Sequence, residues 1–181
     1  SAAQSALETG DSFGFIGCGP HLERRWLLPA GQSMQAVREM TQRIRTFQAY
    51  GRADSLSQVS PLLPARRSLV FLLSDWHFSL ASMKRILQPL TPHAVVPLVV
   101  WDEAEYTGLP EWGLVRFKDA ENGRGKTLLM RPELKRRIVQ AFEQRKSLLR
   151  QTFRGYGMEP LFFSGAYRAD SMNRYFQQNV L

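Results

Sequence analysis

Two apolar runs, "LVFLLSDWH" at 69–77 and "AVVPLVVWD" at 94–102, constrain this chain more than any other feature. Each begins as an unbroken aliphatic stretch and closes on acid: Asp75 in the first, Asp102 and Glu103 in the second. Alternation would mark a strand with one wet face, whereas an unbroken run marks a strand buried on both faces. Between the two, "SLASMKRILQPL" predicts a helix of about nine residues that stops near Pro89. Strand, helix and strand in so short a span predict a parallel pair with both acids at one rim, where open α/β sheets bind their ligands. Pro97 cannot donate to a ladder, so a bulge or a place near the sheet edge is expected there.

The remaining segments fit around this unit. "SAAQSALETG" has helical composition and a stop at Gly10, but about eight residues make barely two turns, so it reads as the tail of a longer helix. "DSFGFIGCG" predicts a strand over 12–18 and "LERRWLLP" a second over 22–29; the short turn at Pro20 makes them antiparallel. A helix follows with Ser33 as N-cap and Val37, Met40, Ile44 and Phe47 as its inner stripe. Residues 51–66 are a polar connection with room for a helical turn. "GLVRFKDAENGRGKTLLM" alternates around a Gly-rich turn at 122–125 and predicts a hairpin. Pro132 opens the longest helix, 132–154, which Gly155 ends; Leu134, Ile138, Phe142, Leu149 and Phe153 form its inner stripe. "PLFFSG" is a last strand and "RADSMNRYFQQNV" a last helix. The alternation predicts a mostly parallel α/β sheet with helices on both faces, in one domain over 1–181.

Composition excludes several classes. Of 181 residues, 44% are hydrophobic and 22% charged, as in a globular domain. No apolar stretch approaches the roughly 18 residues of a membrane span, and nothing resembles a signal peptide, so a cytoplasmic protein is expected. Cys18 is the lone cysteine, which excludes an intrachain disulfide and a cysteine metal cluster; a buried structural thiol is expected despite His21 nearby. "GFIGCGP" places Gly14, Gly17 and Gly19 off the dinucleotide spacing and ahead of a strand rather than a helix. His21, His77 and His93 have no metal-ligand spacing, and neither G-x-S-x-G nor a Walker lysine is present.

Two features remain as candidate sites. The formal charge is +8, and residues 131–154 hold a net +6 of it: Arg131, Lys135, Arg136, Arg137, Arg145, Lys146, Arg150 and Arg154 against Glu133 and Glu143. A solvated outer face explains this, and so does an acidic protein partner met by Arg136, Arg137, Lys146 and Arg150. Nucleic-acid binding is disfavoured, because Phe142 and Phe153 fall on the apolar stripe and not among the cations. The second feature is Asp75. It is either a turn or cap residue ahead of the next helix, although Ser79 can do that work, or a ligand carboxylate at the rim. With Asp102 and Glu103 it would serve a metal-assisted phosphoesterase, which needs two ions about 3.5–4 Å apart.

Several phrases together resemble a known family. "SALETGDSFGFIGCG", "LVFLLSDWH", "HAVVPLVVWDEAEYTGLPEWGLVRFKDAENG" and "PLFFSGAYRADSMNRYF" are similar to the von Willebrand factor A-like domain of a bacterial family of unknown function, often encoded beside MoxR-type AAA+ ATPases. The most specific part is Asp102, Glu105, Leu109, Pro110, Gly113, Asp119 and Gly123 in that order. The resemblance implies a doubly wound sheet and a non-enzymatic protein-interaction module, with a MoxR-type ATPase as partner. In A-type domains a divalent cation such as Mg²⁺ sits at the top of the sheet, held by an Asp-x-Ser-x-Ser loop, a Thr and a later Asp. Asp75 matches that later Asp, and Ser55, Ser57 and Ser60 lie where the Thr would come. The Asp-x-Ser-x-Ser loop would precede residue 1, so the resemblance implies an N-terminally incomplete domain whose cation belongs to the full-length protein, with none expected in this fragment. Loss of a central strand removes about four buried side chains at about 1.5–3 kcal/mol each, which makes a homo-oligomer covering the exposed edges the expected state of the fragment.

Overall fold

A computed structural model describes residues 2–48, 53–101, 106, 108–118, 125–163 and 169–178. The chain gathers into two compact units, one formed by Ser1–Ala65, the other by Arg66–Lys118 and Arg124–Leu181.

The first unit opens with helix α1 (Ala2–Glu8), which stops where Gly10 turns to a φ of 79°. Strands β1 (Phe13–Cys18) and β2 (Leu22–Gly31) form the expected antiparallel pair, with register shifts between Phe13 and Phe15 and between Ile16 and Cys18. A Cβ on Gly17 would lie 2.9 Å from that of Trp26, so only glycine lets the strands close there. Helix α2 (Met34–Arg45) has the expected cap: the Ser33 hydroxyl accepts from the Ala36 amide. Its stripe is shorter than predicted. Val37 and Met40 are buried, but Ile44 is partly exposed and Phe47 lies beyond the helix end, edge-on against Trp26 at 4.9 Å. The connection holds two 3₁₀ turns, Asp54–Gln58 and Ser60–Leu62, the first of which buries Leu56.

The second unit is built on a parallel sheet in the order β3 (Leu69–Ser74), β4 (Ala94–Val100), β7 (Leu161–Phe163). Helix α3 (Leu80–Leu87) makes the crossover from β3 to β4. An antiparallel hairpin, β5 (Gly113–Lys118) and β6 (Gly125–Met130), and helix α4 (Pro132–Arg154) lie between β4 and β7 in the chain. Helix α5 (Ala169–Gln178) follows. It packs Met172, Tyr175 and Phe176 over Phe71, Val96, Leu98, Leu161 and Phe163. The architecture is mixed α/β with a three-stranded parallel sheet. The Gly-rich tip of the hairpin falls outside the described residues.

Two strand expectations are corrected. Only β4 is buried on both faces, from Val95 to Val99. On β3 Leu72 is buried, but Leu69 is 49% and Leu73 63% exposed. Strand β3 ladders only with β4 among the described residues, and the exposed Leu69 and Leu73 share one face while Leu72 stands on the other. Pro97 makes no bulge and does not sit at the edge: it stands in register opposite Leu72 on the central strand. The ladder to β7 begins one residue later, at Leu98, so the missing amide removes no bond on that side.

Candidate functional site

The parallel sheet ends in one rim, made by Ser74 of β3, Trp101 just beyond β4 and Phe163 of β7, where the Trp101 amide donates to the Phe163 carbonyl at 3.0 Å. Asp75 leaves β3 at this rim and is exposed. It does not cap α3. That task belongs to Ser79, whose hydroxyl accepts from the Ser82 amide at 3.1 Å. Asp75 instead closes an Asx turn, its Oδ1 accepting from the His77 amide at 3.3 Å, while the Ser74 hydroxyl accepts from the Trp76 amide at 3.1 Å.

Trp76 is the unusual residue of this loop. It has a φ of 55°, in the left-handed region, yet it is tryptophan and fully buried. That backbone setting costs a non-glycine residue about 1–3 kcal/mol. The indole offsets the cost by packing edge-on against Phe153 at 4.7 Å and Phe78 at 5.9 Å, since a buried aromatic ring removes a large apolar area from water. Its Nε1 is buried without a hydrogen-bond partner among the described residues, a further cost of the conformation.

Side chains from other elements tie the loop down. Trp101 Nε1 donates to the Asp75 carbonyl at 2.6 Å. Arg145 of α4 donates from Nη2 to the Trp76 carbonyl at 2.8 Å and to the Phe78 carbonyl at 2.6 Å. Three carbonyls of the loop are thereby bonded, while Asp75 and His77, on either side of buried Trp76 in the chain, are exposed.

Beside the rim a row of rings runs inward beneath two cations. His77 stacks on Trp101 at 5.8 Å, and Trp101 in turn meets Phe142 at 4.7 Å and Phe162 at 6.0 Å. Lys146 lies over both phenyl rings, at 5.9 and 5.7 Å, and Arg150 lies over Phe162 at 5.0 Å. Each cation on a ring face gains about 0.5–1 kcal/mol at an exposed site. Of the four cations predicted to meet a partner, Lys146 and Arg150 are thus linked to the Asp75 loop through a row of rings, of which Trp101 and Phe142 are buried. The other two are placed differently. Arg137 pairs with Glu133 one turn earlier at 2.6 Å, and Arg136 lines a groove of about 650 Å³ with Glu111, Pro132, Lys135, Val139 and Gln140.

A cation site is not assembled by the described residues. No group of three His, Cys, Asp or Glu side chains converges among them, and Asp75 offers a single carboxylate with one oxygen already engaged by His77. Mg²⁺ takes six oxygens at about 2.0–2.1 Å, so Asp75 could only complete a set supplied from elsewhere. Ser55 does not supply it: it is fully buried and its hydroxyl donates to the Gly19 carbonyl at 2.8 Å. The Ser57 hydroxyl donates to the Asp54 carbonyl. Asp102 and Glu103, the partners of Asp75 in a phosphoesterase, lie outside the described residues, as do Glu105, Asp119 and Gly123. Of the remaining family positions Leu109 is buried, and Gly113 stands at a φ of 123° where β5 begins, a conformation that favours glycine.

Sequence patterning singles out Asp75, Lys146 and Arg150 as candidates but not Trp76, Trp101 or Arg145, which pack or bond around the same loop. No spacing signals a left-handed tryptophan, and Arg145 stands among seven other cations of its segment. Among the described residues no helix is long and apolar enough to cross a membrane.

Comparison with known proteins agrees on one family. The model of the protein family of unknown function DUF58 matches residues 1–148. The chain is similar to an uncharacterised protein of the moxR 3' region of Paracoccus denitrificans, 31% identical over 99 residues that cover 55% of this chain and 94% of that one. No solved structure matches the chain. With most of its length matched by the family model and nearly all of that relative spanned, the chain belongs to the DUF58 family of proteins of unknown function.

Proposed function

We propose that this chain is a non-enzymatic protein-interaction module, built on a doubly wound sheet of the von Willebrand factor A-like kind, that docks a partner protein on the rim of its parallel sheet. The partner is a MoxR-type AAA+ ATPase. A relative encoded in a moxR 3' region supports that choice, and the family resemblance supports the fold.

The observation that carries the reading is the loop 74–78. It sustains backbone strain and a buried unpaired indole N–H to hold one geometry, and what it presents outward is Asp75 and His77. Strain kept by a well-packed surround is characteristic of places where a ligand is met. The neighbouring Lys146 and Arg150 suit an acidic patch on the partner, and such charge complementarity speeds encounter and fixes register. The described residues of the chain reach the partner directly; a divalent ion would need ligands beyond Asp75.

The test is binding of the full-length protein to a purified MoxR-type ATPase from the same genome. Asp75→Ala and Arg150→Ala are each expected to weaken binding about tenfold or more, while Asp54→Ala, in the first unit, leaves it unchanged. Equal affinity for all four proteins would refute the proposal.

A further inference from the structure

We infer that Arg145 is a positioning residue for the interaction site, acting on the partner only through Asp75. This rests on the proposal that Asp75 meets the partner, and it goes beyond it by assigning a half-buried cation a role at a distance. Helix α4 and its N-cap carry eight basic residues over 131–154, and a solvated charge is the ordinary fate of each. Arg145 departs from it. It is half-buried, and its Nη2 donates to the Trp76 and Phe78 carbonyls, 69 and 67 positions away in the chain. Its charge is directed at two peptide dipoles.

The placement of those two bonds matters. A tryptophan at a φ of 55° would relax toward the extended or right-handed region if its carbonyl were released. Rotation there would turn the peptide between Trp76 and His77, and the His77 amide would leave Asp75 Oδ1, where it now donates at 3.3 Å. The carboxylate would then keep only the longer bond that its Oδ1 accepts from the Ser74 hydroxyl at 3.4 Å, and that hydroxyl is itself held by the Trp76 amide at 3.1 Å, within the same turn. Trp101 holds the peptide on the other side, at the carbonyl of Asp75 itself, so Arg145 and Trp101 grip the turn at two successive peptides.

A double-mutant cycle in the full-length protein decides this, read as the Kd for a purified MoxR-type ATPase together with the thermal midpoint of each variant. Asp75→Ala and Arg145→Ala are each expected to weaken binding about tenfold. The double variant should be no more than about twofold weaker than Asp75→Ala alone, because a carboxylate that is gone cannot be misplaced. Arg145→Lys keeps the charge but not the rigid planar fork, and should fall between wild type and Arg145→Ala. A merely structural arginine would lower the thermal midpoint and leave the Kd of the folded protein unchanged, which would overturn the inference. Additive losses of about a hundredfold would overturn it too, since Arg145 would then act on its own account. If Arg145→Ala does not fold, the cycle run with Arg145→Lys decides between the same outcomes. An Asp75→Ala protein that binds like wild type would refute the interaction site itself and the inference with it.

Discussion

The indole of Trp101 donates to the backbone carbonyl of Asp75 at 2.6 Å, joining the ends of two adjacent parallel strands. Trp101 is 5% exposed, and its bond to the carbonyl is partly buried. Trp101→Phe keeps a ring against Phe142 and Phe162 and removes only the donor. An orphaned carbonyl of this kind costs about 1–3 kcal/mol. Urea unfolding followed by circular dichroism is expected to show that loss with an unchanged dependence on urea concentration.

Glu159 ties the end of α4 to the segment that follows. Arg154 donates to it from Nε at 2.8 Å and from Nη2 at 2.9 Å, and the hydrogen bond, more than the bare charge, holds the Glu159 carboxyl below its ordinary range. A lowered carboxyl contributes stability that is full above its unfolded pKa and is lost as pH falls through the folded value. The difference in thermal midpoint between wild type and Glu159→Gln should therefore be constant above about pH 5 and shrink in more acidic buffer. A difference that grew with acid would contradict the assignment.

Cys18 is half-buried on β1, and burial pushes its thiol up, against the smaller opposing effect of the neighbouring Ser55 hydroxyl. Reactivity follows the thiolate. Alkylation by iodoacetamide at pH 8 is expected to run at least about tenfold slower in the native protein than in guanidinium chloride. Equal rates would contradict a thiol shielded by burial.

The sequence is legible where its signals are local. Ser33 and Ser79 cap the helices they precede, and Pro132 and Gly155 bound α4, because caps and breakers act within one turn of themselves. Phe142 and Phe153 are buried as their spacing requires. Phe47 continues the stripe of α2 in the sequence, but the helix ends at Arg45, and Trp26 captures the ring instead. The exposure of β3 is not legible, because an apolar run does not reveal how many neighbours a strand has; that is fixed by residues distant in the chain. At the site, the exposed acid is readable as a carboxylate ending a strand. The grip that holds it is not. Trp76 is among the residues least suited to a positive φ, and Arg145 is told from its neighbours only by the carbonyls it reaches.

Site-specific photocrosslinking tests most directly where the partner sits. A photoreactive amino acid placed at position 77, exposed beside Asp75, should join the full-length protein to a MoxR-type ATPase, whereas the same group at exposed Gln35 on α2 should not. A crosslink from position 35 with none from 77 would contradict a partner site at the sheet rim.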